Sequence, residues 1–359
     1  MCIRDRGPEV AAFEEEFAQF VGADHACAVS SCTTALHLAL IAAGVGPGDQ
    51  VVTVSHSYIA TANSVRYCGA EPVFVDVDPV TFNLDPARLE DAITEQTRAI
   101  MTVHQMGMPC DMEGILRVAE KHGLPVIEDA ACAIGSEILW RGNWEKIGKP
   151  HGDVACFSFH PRKVMSTGDG GMLTTRHADW DQKFRLLRQH GMSVPDTVRH
   201  GSPQVIFEEY PVVGYNYRMT DIQAAVGREQ LKRLPEIVSR RREIADRYRE
   251  LLGGVPDLVL PVEPEYARSN WQSYCVRLGE GLDQKAVMQA LLDEGIATRR
   301  GIMCAHREPA YRGFKSHGSL AHSESAQEHC IVLPLFPAMS DDDIEQVADR
   351  LSGVCASTV

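Results

Sequence analysis

Through the first half of this chain, short apolar runs alternate with helix-like patterns, and no other feature limits the possible folds as much. Residues 10–21 bring Phe13, Phe17 and Phe20 near one helical face, and an apolar run follows at 26–29. Residues 31–44 read as a cap and a helix, and Gly46, Pro47, Gly48 and Asp49 form a turn. The pattern then repeats. Strands are expected at 50–54, 72–77, 98–104, 125–129 and 153–159, with helices at 59–67, 86–93 and 112–122 between them. Strand, helix and strand in succession mean βαβ units, hence an α/β fold with a mostly parallel sheet between helices.

Beyond about Leu234 the sequence becomes rich in Arg and Glu and reads as a long helix to Leu252. A smaller α/β unit follows, with a strand at 272–278 and a helix at 284–292. Ser340 caps a last helix that carries Asp341, Asp342 and Asp343 in its first turn. Two domains are expected, a large one over 1–235 and a small one over 236–359, as a length of 359 residues suggests. The first six residues, MCIRDR, fit neither a helix cap nor the neighbouring pattern. They read either as a non-native remnant at a truncated start or as a frayed terminus.

Charge narrows the function. Lys and Arg number 35 and Asp and Glu 49, a net charge of -14, which argues against general nucleic-acid or anionic-membrane binding. No apolar run approaches the roughly 20 residues of a membrane span, and the first residues do not read as a secretory signal, so none is expected. The 11 cysteines are scattered without a CxxC pair and read as reduced thiols of a cytoplasmic protein. The 14 histidines form no HExxH motif and no zinc spacing, so no catalytic metal is expected, and no GxSxG elbow appears.

In an open α/β sheet, ligands sit at the carboxyl ends of the strands, and three polar clusters fall there. Ser31, Cys32, Thr33 and Thr34 offer backbone N–H groups at a helix start, suited to a phosphate or simply to capping. Glu128 and Asp129 end an apolar strand. A carboxylate in those surroundings needs a partner, either an internal cation or a protonated ring nitrogen. Ser158 to Lys163 end another strand. Lys163 there is either a solvated surface lysine or an amine held in an apolar cleft, which would have a lowered pKa and could form Schiff bases. The stretch 166–175 after it is not a phosphate-loop fingerprint, and Gly168, Gly170 and Gly171 read as tight turns.

Taken in order, SSCTTALHLAL, GVGPGDQVV, HSYIATANSV, PVFVDVDPVTFNLDP, VIEDAACAIGS, FSFHPRKVMSTGDGGMLTT and GYNYRMTDIQAAVGREQL resemble the DegT/DnrJ/StrS family of pyridoxal-phosphate (PLP) sugar aminotransferases. The resemblance runs from about Gly7 to the last helix. It implies the fold type I architecture of PLP-dependent transferases, with a large PLP-binding domain and a smaller C-terminal one. It also implies roles. Lys163 matches the lysine that binds PLP as a Schiff base, and Asp129 the carboxylate that keeps the pyridine nitrogen protonated. Cys32, Thr33, Thr34 and Ser158 match phosphate contacts, and His56 the position of a residue stacked on the ring. Cys132, where many relatives have Gln, falls at a cofactor contact, and Cys32 stands where many have Gly. Asn216 matches a residue reaching the phosphate from the other subunit, so a homodimer with shared active sites is implied. His160, Arg218 and His306 are the expected substrate-side residues.

By the same resemblance, an amino acid, most often glutamate, gives its amino group to a keto-sugar on a nucleotide diphosphate. A cyclitol or other cyclic ketone as acceptor, and a non-catalytic PLP-binding relative, are the alternatives. Some relatives have His at the lysine position and act as dehydratases; Lys163 argues against that chemistry.

Overall fold

A computed structural model describes residues 7–194 and 204–357. Helix α1 (Pro8–Val21) leads to β1 (His25–Val29), α2 (Cys32–Ala42), β2 (Gln50–Val54), α3 (Ala60–Tyr67), β3 (Glu71–Val75), the short α4 (Leu89–Ala92), β4 (Thr97–Val103), α5 (Met112–His122) and β5 (Val126–Asp129). A hairpin of β6 (Glu137–Trp140) and β7 (Asn143–Lys146) comes next, then β8 (Val154–Ser158), β9 (Gly171–Thr175) and α6 (Ala178–Leu187). The long helix α7 (Asp221–Leu252) precedes β10 (Leu258–Val259), β11 (Ala267–Arg268), β12 (Tyr274–Leu278), α8 (Gln284–Asp293), β13 (Arg299–Arg300), α9 (Ala321–His329), β14 (Cys330–Leu333) and α10 (Asp341–Ser357).

The central sheet has the order β1-β9-β8-β5-β4-β2-β3. Pairs among β3, β2, β4, β5 and β8 are parallel, and β9 runs antiparallel to both β1 and β8. Every residue of β2, β8 and β9 is buried, as strands covered on both faces require. Helix α1 covers the β8 end with aromatic rings: Phe17 meets Phe157 with centroids 5.1 Å apart, and Phe13 meets Phe159 at 5.4 Å. A second sheet, β10-β12-β14-β13, carries its own apolar cluster with α7, α8 and α10.

Three segments depart from the sequence reading. Gly171 is not a turn residue. Gly168 and Gly170 have φ of 86° and 157°, but Gly171 opens the buried strand β9, which the glycines concealed. Between the expected strands at 125–129 and 153–159, where no further strand was read, lies the β6–β7 hairpin, turned by Arg141 and Gly142 at φ 49° and 86°.

The long helix starts at Asp221, well before Leu234, and passes through Pro235. Thr220 fixes that start with a capping box to Gln223. A proline removes one backbone bond of the helix, yet Leu231, Leu234 and Val238 around it are buried in the large core, and that packing sustains the helix. The division placed after residue 235 thus falls inside one continuous helix, whose later residues Ile244, Tyr248 and Leu252 join the second core.

Residues 1–6, 195–203 and 358–359 lie outside the described residues. Among the described residues no helix is long and apolar enough to cross a membrane.

Candidate active site

The carboxyl ends of β1, β8 and β5 present the three polar clusters at one sheet edge. At the first, Ser31 is the N-cap of α2 and forms a capping box: its hydroxyl accepts from Thr34 N–H at 3.2 Å, and Thr34 Oγ1 accepts from Ser31 N–H at 3.2 Å. Thr34 also donates to the Ser31 carbonyl at 2.7 Å, so its side chain serves the cap. Ala35 N–H returns to Ser31 O, which leaves the amides of Cys32 and Thr33 as the open donors of this helix end. Gly171, opposite Ser158 in the ladder, presses against it. A Cβ on Gly171 would stand 2.7 Å from Cys32 N and closer still to the Ser31 carbonyl. Ser158, the last residue of β8, is buried and its hydroxyl accepts a long bond of 3.4 Å from His160 N–H.

Asp129 ends β5 with 5% of its surface exposed. Thr61 donates its hydroxyl to one carboxylate oxygen at 2.8 Å, and Ala131 N–H donates to the other at 3.2 Å. Burial raises the Asp129 pKa, and these bonds and the nearby Lys163 offset it only in part. Among the described residues no cationic side chain forms an ion pair with it, so an internal Arg or Lys partner is absent from this carboxylate.

Lys163 reaches back over the Asp129 loop, its Nζ 3.0 Å from Cys132 Sγ. A lowered pKa was the expectation for this amine. Burial does act in that direction, but Cys132, Cys32 and Asp129 outweigh it and leave the pKa above the ordinary lysine value. The amine is thus placed among hydrogen-bonding and acidic groups rather than in a purely apolar cleft.

The remaining expected residues divide. His56 is 1% exposed, its ring edge-on to Phe82 with centroids 5.7 Å apart, and both ring nitrogens lack partners. Burial pulls its pKa down to about 4, so the ring is neutral and has no open face on which to stack a cofactor. The exposed aromatic on this turn is Tyr58, 72% accessible and three residues before Thr61. His306 is locked between Ser55 Oγ at 2.7 Å and Glu324 at 3.0 Å, so both of its nitrogens are engaged within the chain. His160 is exposed and accepts from Arg162 N–H at 3.3 Å. Asn216 is exposed, paired by a bridge with Gln189, and accepts from Arg218 at 3.3 Å.

Thr61, Ser57 and Tyr58 escaped the sequence reading. Their only signal was position, on the segment that follows the end of β2.

These groups fit a molecule with an anionic end, a basic ring nitrogen and a carbonyl. Two free amides and a hydroxyl face the first, a buried carboxylate without a cation suits the second, and a lysine amine suits the third.

Residues 2–352 match the DegT/DnrJ/EryC1/StrS aminotransferase family. The chain is 41% identical over 356 residues to the spore coat polysaccharide biosynthesis protein SpsC of Bacillus subtilis, covering 97% of this chain and 90% of that protein. It is 43% identical over 353 residues to the GDP-perosamine synthase of Caulobacter vibrioides, with the same coverage of 97% and 90%. Among solved structures, the PMP form of the putative sugar aminotransferase Spr1654 of Streptococcus pneumoniae superposes with a TM-score of 0.92 at 27% identity, over 99% of this chain and 94% of that one. The chain belongs to the DegT/DnrJ/EryC1/StrS aminotransferase family, and its cofactor is pyridoxal phosphate.

Proposed function

We propose that the protein moves an amino group from an amino acid, glutamate in the first instance, to a keto-sugar carried on a nucleoside diphosphate. The observation that carries this reading is the convergence of Lys163, Asp129 and the open start of α2 on one sheet edge. The similarity to a GDP-perosamine synthase favours a nucleotide-linked sugar over a free cyclitol as acceptor.

Bound pyridoxal phosphate supplies an electron sink that stabilises negative charge at the α-carbon of the amino donor. The chain's residues do the rest. The amides of Cys32 and Thr33, with the Ser158 hydroxyl, hold the phosphate. Asp129, steadied by Thr61, keeps the ring nitrogen protonated through a charge-assisted bond. Tyr58 covers the ring where His56 cannot. Lys163 would anchor the cofactor, and its amine is the base in place to take a proton from the α-carbon of the amino donor and return it. The donor leaves before the acceptor binds, so the kinetics are ping-pong.

The site is completed by a second copy. Asn216 and Arg218 are on the segment leading into α7, next to Val205, Phe207, Tyr210, Val213 and Ile222, whose side chains are all more than half exposed. Apolar side chains in this number suit burial against another subunit, with Asn216 reaching the partner's phosphate and His160 and Arg218 at the sugar side.

The test is an absorption spectrum of the PLP-loaded protein before and after glutamate, followed by addition of nucleotide-linked keto-sugars and mass analysis of the product. Bleaching of the visible band by glutamate and an aminated sugar nucleotide are expected. A band that no amino acid alters would overturn the reading.

A further inference from the structure

The segment bearing Lys163 has no regular structure between Ser158 and Gly171, so its shape depends on individual bonds. Lys163 N–H donates to His160 O at 2.9 Å, and Thr167 N–H to Phe159 O at 3.0 Å, which closes the loop on itself. The peptides flanking Lys163 are held from outside, by one side chain. Val164 N–H donates to Gln272 Oε1 at 2.8 Å, and Gln272 Nε2 donates to the Arg162 carbonyl at 2.7 Å. The carboxamide makes both bonds that a neighbouring strand's peptide would make.

Gln272 ends a strap of four residues that is itself tied down. Ser269 N–H donates to Glu263 at 2.5 Å, and Arg242 donates to Ser269 O at 2.9 Å. Arg241 donates to the carbonyls of Trp271 and Gln272, both at 2.8 Å. Trp271 has φ 49°, a left-handed conformation that a bulky residue keeps only where its surroundings over-determine it. Asn270 is fully buried and donates to the carbonyls of Cys132 and Ile134, each at 2.8 Å, while its Oδ1 accepts Gln272 N–H at 2.8 Å. The loop after Asp129 and the loop of Lys163 therefore hang from the same strap, two residues apart.

We propose that Gln272 is a positioning residue for Lys163: by fixing the peptides on both sides of the lysine, it holds Nζ against the Cys132 loop that Asn270 anchors and sets the reach of the amine to the cofactor. The proposal rests on the aminotransferase reading above. A misplacement of about 1 Å at a reacting group can slow a step by about a hundredfold, so a pair of bonds at this place matters beyond its contribution to stability.

The variants are Gln272→Leu, similar in size without donor or acceptor, and Gln272→Glu, which keeps the acceptor for Val164 but turns an oxygen toward the Arg162 carbonyl. Should Gln272→Leu fail to fold, as judged by its melting transition, Gln272→Glu serves in its place. Three quantities are read on the PLP-loaded protein: amide exchange at Val164, the glutamate half-reaction rate, and the yield of PLP fixed on Lys163 by borohydride. Faster exchange at Val164 is expected in Gln272→Leu, and in both variants a half-reaction slowed about tenfold to a hundredfold with a KM for glutamate within about twofold of wild type. Wild-type half-reaction rates in either folded variant would overturn the proposal, as would unchanged Val164 exchange in Gln272→Leu. If wild type itself reacts with no amino acid, the aminotransferase reading fails separately. The borohydride yield then decides on Gln272: a lower yield in the variant supports positioning and an equal yield refutes it.

Discussion

Thr61 donates its hydroxyl to Asp129 across 2.8 Å at the buried end of β5. Ser57 Oγ lies 2.7 Å from Thr61 Oγ1, and because the Thr61 proton is committed to the carboxylate, Ser57 is the donor to Thr61. Two hydroxyls at the start of α3 are thus aligned toward a carboxylate that burial would otherwise tend to keep protonated.

Thr61→Val preserves shape and removes the bond. A hydrogen bond to a charged group contributes about 1.5–3 kcal/mol, so PLP affinity is expected to fall by at least about tenfold. The pH dependence has a definite sign. The Asp129 pKa, already raised, rises further without Thr61, so the ionised form that holds the ring proton is lost at a higher pH. The acid limb of PLP binding, followed by visible absorbance, should move upward in pH. An unmoved limb would show that Asp129 does not govern binding. Asp129→Asn should slow the glutamate half-reaction more severely than Thr61→Val, because it removes the charge itself.

Lys163→Ala should abolish turnover and leave the fold intact. Among the described residues Cys132 is the hydrogen-bond partner of its amine, and the groups around it outweigh burial and raise its pKa, so the ammonium makes a small favourable contribution to stability below that pKa. A cooperative melting transition at or slightly below that of wild type, with no cofactor fixed by borohydride, is the expected pair of results. An active variant would contradict the assignment of Lys163.

Glu14 tests the core rather than the site. Its carboxylate accepts from Arg188 at 2.5 Å, Arg185 at 2.6 Å and Ala28 N–H at 2.9 Å, and Arg188 is 1% exposed. Burial would raise the Glu14 pKa, but the two guanidiniums prevail and hold it below the usual value. The stability this group contributes is therefore present above its unfolded pKa and lost as pH falls through the lower, folded one. Glu14→Gln leaves Arg188 buried beside a neutral partner, and a loss of about 3–5 kcal/mol is expected in chemical denaturation at neutral pH. The difference from wild type should shrink in acid. A loss that stays constant with pH would point to packing alone.

The parallel part of the sheet was legible in the sequence because it depends on hydrophobic runs, and so was the placement of Lys163, Asp129 and the start of α2 at one sheet edge, since all three follow such runs. What escaped depends on contacts without a sequence period. Strand β9 was hidden because Gly171 is required by its closeness to Ser31, a contact between distant segments. His56 and Tyr58 occupy the same short turn, and only the packing against Phe82 decides which ring is buried. Asn270 and Gln272 read as ordinary loop polars until the chain brings them to the carbonyls and amides beside Cys132 and Lys163. Pro235 is tolerated inside α7 because tertiary burial outweighs its local penalty.

Shared sites can be tested by complementation. Subunits bearing Asn216→Ala are mixed with subunits bearing Lys163→Ala, each inactive or nearly so alone. If Asn216 serves the partner, a hybrid dimer has one site with both residues intact and one lacking both, and activity returns on mixing. If Asn216 serves its own chain, every site lacks one residue. Recovery measured against the hybrid fraction separates the two arrangements.

Gly171 ties the fold to the anion site most directly. Its φ is not in the left-handed region, so alanine there is excluded by space and not by backbone conformation. The added Cβ would meet Cys32 N at 2.7 Å and the Ser31 carbonyl closer still, and these are backbone atoms that no side-chain rotation can move aside. Either β9 or the first turn of α2 has to shift. Since β9 is laddered to β1 and β8 on its two sides, the helix start should give way, carrying the open amides of Cys32 and Thr33 with it. Gly171→Ala should therefore destabilise by about 1–3 kcal/mol, as overpacking does, and also weaken PLP binding. Comparison with pyridoxal, which lacks the phosphate, separates the two effects. General loosening would weaken both ligands alike, whereas displacement of the α2 amides should weaken PLP more than pyridoxal. Equal losses, measured by absorbance titration at a temperature where the variant is folded, would remove the phosphate from the start of α2.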